Sequence, residues 1–378
     1  MVHKKKNIHP LLDAEKQHRA RQYEKEKRVL GLLGSVISLA FVLWYYFSGF
    51  SYQIAHLEFS FIWTFLIYVL IFLTLSTLLG LPLGYYSGYV HEHKWGFSNY
   101  NHKTWALDQI KSFLVSLVLF PLLLGLLYWV FATFPDIWWL VAGAATAIVS
   151  VIFATLFPVV IAPIFNKYDP IDNEDLVNQL TEILEKAGLK PGGFFKQDMS
   201  RQTKKENAFL AGLGKTRRVV MADNLLEHMS HGEISSVIAH EVGHYKYRHL
   251  SKNIVIGTAQ QLIIFYLLDS IMKKFFPDFL TSNAANLALF PMIGLIMGIL
   301  SGFLFGPLNN WISRYFERQA DQTSLELYSQ KEDFLGAMAG LANRNLSNAY
   351  PSWWVKLLYY SHPPIGERLT FGEEFQHD

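Results

Sequence analysis

The chain has 378 residues, of which 51% are hydrophobic, 15% aromatic and only 17% charged. Soluble proteins of this size carry about 25% charged residues, so the composition indicates a polytopic membrane protein rather than a soluble one. The net charge of +2 argues against a nucleic-acid partner, and the absence of cysteine excludes disulfides, thiolate metal sites and a cysteine nucleophile.

The N-terminal segment 1–28 contains nine lysine and arginine residues. We expect it to be a solvated basic arm that acts as a topology signal, with contact to anionic lipid as the secondary interpretation. The first apolar run begins near Val29, is long enough to span a bilayer and lacks a small-residue cleavage site. No cleavable signal peptide is therefore predicted.

Six apolar stretches are long enough to cross a bilayer, which takes about 20 residues each. They are residues 29–50, 59–86, 113–134, 138–165, 253–272 and 284–307. The three short connections, at 51–58, 135–137 and 273–283, contain only Lys273 and Lys274 as basic residues. The positive-inside rule therefore predicts that both termini and all the larger connections are cytoplasmic.

These spans divide the chain into five regions. They are a basic arm at 1–28, transmembrane helices 1–4 at 29–165, a cytoplasmic cap segment at 166–252, transmembrane helices 5–6 at 253–307 and a second cytoplasmic segment at 308–378. The two cytoplasmic segments together have roughly the size of one ordinary domain. We expect them to fold as one cap.

Within the cap, apolar spacing predicts an amphipathic helix over 172–187, which ends at a glycine. Short strands are predicted at 194–197, 207–210 and 217–221, with 212–215 as the turn between the last two.

Ser230 and Glu233 have the spacing of a capping box and predict the start of the next helix. That helix carries the sequence HEVGH, an HExxH pattern. His240 and His244 lie four residues apart on one face, so both imidazoles can bind one Zn²⁺. Glu241 lies beside them, where it can polarise a water molecule on the metal. The alternative is a partly exposed helix that carries two histidines by chance.

A catalytic zinc site needs a third protein ligand, and Glu317 is the candidate. The fifth and sixth spans form a helical hairpin whose outer turn centres near Leu280. Val242 lies 38 positions before that turn and Glu317 lies 37 positions after it, so the two are level in an antiparallel pair. Both then lie about 14 Å beyond the membrane ends of their helices. The alternative for Glu317 is a surface salt bridge with Arg314 or Arg318.

Asp321 follows Glu317 by one helical turn and lies on the same face. A carboxylate there can accept the second ring N–H of a metal-binding histidine and so fix its tautomer; the alternative is an exposed helix acid. His249 is a competing candidate ligand. It follows His244 by five residues and should face a different side of the helix, so Glu317 is preferred.

His362 and Arg368 flank a rigid loop with two consecutive prolines. His362 can donate a hydrogen bond to a tetrahedral oxyanion, although a histidine beside proline is more often a structural loop residue.

Glycines recur every four residues in the second and sixth spans; they are Gly80, Gly84, Gly88, Gly294, Gly298, Gly302 and Gly306. We favour close helix packing as their explanation; the alternative is a smooth wall that faces a cavity. Gln260, Gln261 and Asp269 are polar residues at membrane depth and should face the protein interior or water. For the glutamines, interhelical hydrogen bonding is the preferred interpretation.

The chain resembles the type I CAAX prenyl endopeptidases, integral-membrane zincins also called farnesylated-protein-converting enzymes. The resemblance runs from about residue 85 to residue 369. The matching segments, in the order of the family, are 91–97 with 105–111, 161–165, 207–209 with 214–218, 240–244, 317–321, and 362–364 with 368.

The resemblance implies a zinc metalloendopeptidase that binds one Zn²⁺ per chain through His240, His244 and Glu317. Glu241 would act as general base, and Asp321 as the carboxylate behind the ligands. The implied fold is an all-α polytopic membrane protein of about six transmembrane helices with a small α+β zincin-like cytoplasmic cap. Its membrane helices would enclose a water-filled chamber.

The same resemblance implies substrate contacts. His362, with Arg368 nearby, would contact the substrate or the developing oxyanion. An extended peptide would pair along the strand that contains Asn207, Ala208 and Phe209, by β-augmentation. The expected partners are a peptide or protein substrate, including prenylated ones, and the lipid bilayer.

The chain departs from eukaryotic members, because it is shorter, lacks their first span and shows no sorting signal for the endoplasmic reticulum. We therefore expect a prokaryotic cell-membrane protein, with the endoplasmic reticulum as the alternative location. Three other functions stay open. One is a heat-shock-type membrane quality-control zinc protease. Another is a zinc-binding transporter or sensor without hydrolysis, although transporters place their ligands near the bilayer midplane. The third is a scaffold with a structural zinc site.

Overall fold

The computed structural model describes residues 8–189, 192–212, 218–328 and 330–376. In chain order its helices are α1 (Ala14–Phe47), α2 (Phe50–Ala55), α3 (Phe61–Lys94), α4 (His102–Thr133), α5 (Trp138–Phe165), α6 (Glu174–Lys186), α7 (Asp223–His228), α8 (His231–Lys246), α9 (His249–Phe275), α10 (Asn283–Leu327), α11 (Lys331–Arg344), α12 (Trp353–Tyr359) and α13 (Ile365–Glu374). Its strands are β1 (Tyr168–Pro170), β2 (Phe194–Gln197), β3 (Ala208–Ala211) and β4 (Arg218–Ala222).

Within the described residues, six helices are long and apolar enough to cross a membrane: α1, α3, α4, α5, α9 and α10. The predicted polytopic helical fold with a small α+β cap is therefore confirmed. Three of the long helices contain a wider π turn, at Tyr86–His91, Phe157–Ile161 and Ser301–Phe305. Such turns interrupt the regular backbone ladder and often mark functional regions.

The expectation that the N-terminal segment is a solvated arm is wrong for its described part. Helix α1 begins at Ala14, capped by the side chain of Asp13. Gln17 is fully buried, donates to the Ser347 carbonyl at 3.1 Å and accepts the Ala349 N–H at 3.0 Å. The first three turns of α1 are therefore packed against the C-terminal part of the chain.

The preferred explanation of the glycine repeats is also wrong. An ideal Cβ built on six of the seven glycines meets no atom within 4 Å; these are Gly80, Gly84, Gly294, Gly298, Gly302 and Gly306. They line open space rather than a helix contact, which fits the alternative of a smooth wall. The interhelical role predicted for Gln260 is confirmed, because its Nε2 donates to Asn309 Oδ1 of α10 at 2.7 Å.

The cap contains one four-stranded sheet of order β1-β2-β4-β3. Strands β2 and β4 are parallel, and the two outer pairings are antiparallel. The prediction for 194–197 matches β2, and those for 207–210 and 217–221 match β3 and β4 shifted by one residue. The turn predicted at 212–215 lies mostly outside the described residues, and the short β1 was not predicted.

One hydrophobic core joins the sheet to helices from both sides of the last two spans. Its buried members include Leu180 of α6, Met221 of β4, Ile238 of α8, Phe334 of α11 and Leu369 of α13. Chain segments before α9 and after α10 thus contribute to the same core. The division into domains at the predicted boundaries remains our proposal.

Helices α8 and α10 approach closely because small residues line their contact. Gly243 of α8 lies against Ala320 and Thr323 of α10. Nearer the N-terminus of α8, the Ser324 Oγ of α10 donates to the Ser236 carbonyl at 2.7 Å. This close contact brings the side chains of α8 and α10 within reach of each other.

The HExxH motif and the fifth span lie on two separate helices. Helix α8 ends at Lys246, and α9 begins at His249. Between them, Arg248 has a φ of 54°, in the left-handed region that non-glycine residues rarely adopt. The chain therefore changes direction directly after the motif.

Candidate metal centre

The HExxH helix is fixed at its N-terminus by the predicted capping box. Ser230 Oγ accepts the Glu233 N–H, and the Glu233 carboxylate accepts the Ser230 N–H. Three turns later, His240 and His244 lie on one face of α8, with their Nε2 atoms 3.2 Å apart. The two nitrogens therefore converge on one point beside the helix.

Glu317 of α10 completes a triangle with these nitrogens. Its Oε2 lies 3.3 Å from His240 Nε2, and its Oε1 lies 3.4 Å from His244 Nε2. Ligands at the 2.0–2.1 Å bond lengths of tetrahedral zinc are spaced by roughly 3.3 Å. Glu317 Oε2 is buried and has no hydrogen-bond partner among the described residues. The donor set and its spacing therefore fit a small divalent cation.

Glu241 is the second carboxylate near the histidines, and its donor atom lies within 4.8 Å of theirs. Glu241 and Glu317 differ in what else they contact. Glu241 Oε2 accepts the Leu210 N–H of β3 at 3.3 Å, whereas Glu317 contacts both imidazoles. Glu241 therefore lies between the histidines and the sheet edge, as a base that reaches a substrate would have to lie.

Strand β3 is the edge strand beside this centre and pairs only with β4 among the described strands. Ala222 N–H donates to the Asn207 carbonyl. Antiparallel pairing alternates along a strand, so the backbone groups of Ala208 and Leu210 point to the open edge. Of the residues predicted to pair with a substrate, only Ala208 has its backbone groups at the open edge, and the prediction is wrong for Asn207 and Phe209, whose backbone groups face β4. The backbone of Leu210 also faces the open edge.

The segment that leads into β3 is held by a half-buried polar cluster. Lys205 Nζ lies 2.7 Å from Glu92 Oε2 at the end of α3, and the Tyr23 hydroxyl of α1 donates to Glu92 Oε1 at 2.6 Å. Burial lowers the pKa of Lys205, although the neighbouring Glu92 carboxylate opposes that shift. The first and second spans thus fix the approach to the edge strand.

Asp321 and Arg368 lie behind His240, on the side away from Glu317. Asp321 is fully buried, and its Oδ1 lies 2.9 Å from His240 Nδ1. Arg368, 7% exposed, donates from Nε to Asp321 Oδ2 at 3.0 Å. The expectation that Arg368 contacts the substrate is not met in this arrangement, because its guanidinium is used to hold Asp321.

These contacts decide the protonation of His240. Burial lowers the pKa of His240, but the carboxylates of Asp321 and Glu317 beside its ring raise the pKa by more, to about 9. A cation at the centre must therefore displace a firmly held proton.

His362 lies at the solvent-exposed side of the centre. Its Nε2 is 3.3 Å from Glu317 Oε1, and its side chain is 61% exposed. It is the one predicted oxyanion contact that the structure leaves open to an incoming molecule.

His249 is a neighbour of the centre whose place sequence reasoning missed. Its Nδ1 lies 2.9 Å from His244 Nδ1, on the opposite side of the His244 ring from Glu317. A continuous helix would have turned His249 away, and the interruption at Arg248 brings it back. The left-handed backbone of Arg248 has no signature in the sequence, because non-glycine residues rarely adopt it. The position of His249 could therefore not be predicted.

Two family models cover the chain. The model described as "CAAX prenyl protease N-terminal, five membrane helices" matches residues 2–167, and the model "Peptidase family M48" matches residues 170–374. The chain belongs to peptidase family M48. It is therefore an integral multi-pass membrane metalloprotease, with peptide or protein substrates and a metal cofactor. The predicted CAAX-protease resemblance is confirmed.

Similar proteins extend over nearly the whole chain. The uncharacterized metalloprotease YhfN of Bacillus subtilis is 31% identical, over 94% of this chain and 85% of that protein. CAAX prenyl protease 1 of Saccharomyces cerevisiae is 29% identical, over 95% of this chain and 86% of that protein. The crystal structure of S. mikatae Ste24p matches with a TM-score of 0.84 at 26% identity, over 97% of this chain and 91% of that chain.

Proposed function

We propose that the protein is a membrane zinc metalloendopeptidase with one Zn²⁺ per chain, bound by His240, His244 and Glu317. The observation that carries the proposal is the triangle of three side chains: the two histidine Nε2 atoms lie 3.2 Å apart, and each lies 3.3 or 3.4 Å from one of the two oxygens of Glu317. The buried Glu317 oxygen without a hydrogen-bond partner supports it further, since an unpaired buried carboxylate oxygen is costly unless a cation satisfies it.

In the reaction we propose, the residues of the chain hold the peptide and move the proton. A bound zinc ion would supply a Lewis acid that polarises a carbonyl and acidifies water. The open-edge backbone groups of Ala208 and the carbonyl of Leu210 hydrogen-bond to an extended peptide, while the Leu210 N–H donates to Glu241. Glu241, which touches that edge, takes a proton from the attacking water and returns it to the leaving amine. His362 donates to the developing oxyanion.

We propose substrates with hydrophobic or prenylated, CAAX-type ends. The support comes from relatives that are named CAAX prenyl proteases and from the open glycine faces of α3 and α10. Those faces present backbone without side chains, and an apolar chain can lie along them without displacing anything.

We further propose that the protein lies in a prokaryotic cell membrane with both termini and the cap in the cytoplasm. The distribution of lysine and arginine supports this orientation. Because the chain has no cysteine, single cysteines placed in the 51–58 and 273–283 connections can be labelled cleanly with an impermeant reagent in intact cells. We expect these cysteines to be labelled from outside the cell. Cysteines that are protected from the reagent would show the opposite orientation.

The central experiment compares Glu241→Gln with the parent on a farnesylated peptide and an unprenylated control, each with and without chelator, read by mass spectrometry. We expect the variant to keep one zinc and to lose at least about 100-fold in cleavage rate, the contribution of a general base. Glu182→Gln, an exposed glutamate on α6, is the matched control. Parent-level cleavage by Glu241→Gln would overturn the assigned base, and equal cleavage of both peptides would favour a quality-control protease.

A further inference from the structure

The first residue of α9, His249, is a buried histidine that the mechanism above does not use. It is 2% exposed. Its ring stacks on Phe316 with centroids 4.2 Å apart and planes within 11°, and it stacks on Tyr247 at 5.7 Å and 12°. The two aromatic neighbours fix the plane of the imidazole.

The backbone break directs this ring at His244. Residues five apart in a continuous helix point about 140° away from each other, too far apart in direction for their ring nitrogens to meet. With Arg248 in the left-handed region, α9 starts in a new direction, and the two Nδ1 atoms lie 2.9 Å apart. The contact is therefore a product of the strained backbone at one residue.

Two imidazole nitrogens at hydrogen-bond distance must share one proton, since two lone pairs repel and two N–H groups collide. His244 needs the lone pair of its Nε2 free towards Glu317 and a metal. A neutral His244 then carries its proton on Nδ1 and donates it to His249 Nδ1. It follows that His249 carries its own proton on Nε2 and needs an acceptor there.

Gln319 of α10 provides that acceptor. Its Oε1 lies 3.0 Å from His249 Nε2, while its Nε2 is directed to the Tyr315 hydroxyl at 3.4 Å. The amide oxygen accepts from His249, and this excludes the opposite tautomer of His249. The hydrogen-bond directions are thus consistent from Gln319 through His249 to His244.

We propose that His249, held by Gln319, is a positioning residue that fixes the tautomer and ring orientation of the metal ligand His244. This proposal rests on the proposed zinc function of the same centre. It gives the two histidines different supports: a carboxylate, Asp321, for His240 and a neutral imidazole–amide pair for His244. Loss of such a support lowers metal affinity by about 10- to 100-fold in comparable sites.

A pair of substitutions separates positioning from packing. His249→Phe keeps the stacked ring but removes the acceptor, whereas His249→Asn loses the ring but keeps an amide oxygen near the position of Nδ1. If His249 positions His244, Phe lowers zinc affinity by about 10- to 100-fold and Asn retains most of it. At Gln319, the acceptor for His249, the Gln319→Leu variant should lower zinc affinity because it removes the acceptor. The Gln319→Glu variant should retain zinc affinity because it keeps an acceptor oxygen.

The measurements are zinc affinity by chelator competition and the absorption spectrum of the Co²⁺-substituted protein, which reports the ligand set independently of activity. Thermal unfolding of the metal-free variants checks that each is folded. His231→Phe, an exposed histidine on α8, is the control and should leave affinity and spectrum unchanged.

The results distinguish this proposal from the proposed function. If His249→Phe binds zinc as tightly as the parent, or if Phe preserves and Asn destroys binding, His249 is a packing residue and the positioning role is overturned while the peptidase stands. If the parent and Glu241→Gln both fail to bind zinc, both proposals are overturned. The positioning role is supported if His249→Phe and Gln319→Leu bind zinc weakly while His249→Asn and Gln319→Glu bind it nearly as tightly as the parent.

Discussion

Gly243, inside the HExxH motif, sets the distance between the two helices that carry the proposed ligands, and Gly243→Ala should therefore open the metal centre. A Cβ at this position would lie 2.7 Å from Ala320 Cα and 3.0 Å from Thr323 Cβ. Ordinary contacts between carbon atoms are about 3.5–4.0 Å. The obstructing Cα belongs to the backbone of α10, so no side-chain rotation relieves the clash, and α8 must retreat by roughly 1 Å.

The retreat acts directly on the donor triangle, because His240 and His244 lie on α8 and Glu317 lies on α10. Spacings of 3.3 and 3.4 Å would grow towards roughly 4 Å, beyond what tetrahedral zinc spans. We expect zinc affinity to fall at least about tenfold and cleavage about 100-fold, the effect of a 1 Å misplacement. Overpacking should also cost about 1–3 kcal/mol of stability.

Zinc affinity by chelator competition, peptide cleavage and thermal unfolding in detergent test this expectation. Gly257→Ala on α9 is the matched control, because its added Cβ meets no atom within 4 Å. The control should keep parent affinity and activity. If Gly243→Ala binds zinc and cleaves peptide as well as Gly257→Ala, the close contact of α8 and α10 does not set the geometry of the centre.

Three further outcomes are expected. Asp321→Asn leaves the guanidinium of Arg368 buried without its counter-charge, and the free energy of unfolding should drop by about 3–5 kcal/mol, measured by denaturation of the metal-free protein; an unchanged midpoint would contradict the role of the pair. Lys205→Met removes the partner of Glu92 near the edge strand, so KM for peptide should rise while zinc affinity stays constant; a loss of zinc instead would mean that the cluster supports the centre itself. Because the pKa of His240 is raised to about 9 in the metal-free centre, zinc must displace that proton at lower pH, and calorimetry should show affinity rising with pH by up to about tenfold per unit below 9 and levelling above it; a flat profile would show that His240 is already neutral.

The sequence was sufficient for the features that depend on length and composition. Six spans follow from apolar length, and the proximity of Glu317 to the motif follows from counting residues on either side of Leu280. The structure bears out that proximity even though the counted helix is broken at Arg248. The motif still faces this part of α10, because Gly243 lies directly against Ala320.

The features that were missed depend on tertiary contacts. Lysines and arginines on the exposed side of α1 made 1–28 resemble a solvated arm, yet its buried Gln17, Ala20 and Tyr23 recur every three residues, as one face of a helix does. That spacing was available in the sequence. Glycines every four residues, in contrast, give the same sequence pattern whether they face another helix or open space. Their environment was therefore not predictable from the sequence.

The placement of His249 shows that several supports of the proposed metal centre depend on the position of α10 relative to α8. Helix α10 supplies the carboxylate of Glu317, the acceptor Asp321 behind His240 and the acceptor Gln319 that holds His249 behind His244. These three side chains lie within five residues of one helix, little more than one turn, so any rotation or axial shift of α10 against α8 displaces all three together. The same helix crosses the membrane region and contains the π turn at Ser301–Phe305. The geometry of the donor triangle is therefore tied to the position of a single long helix, and we expect changes that move α10 to alter the affinity of the proposed metal site.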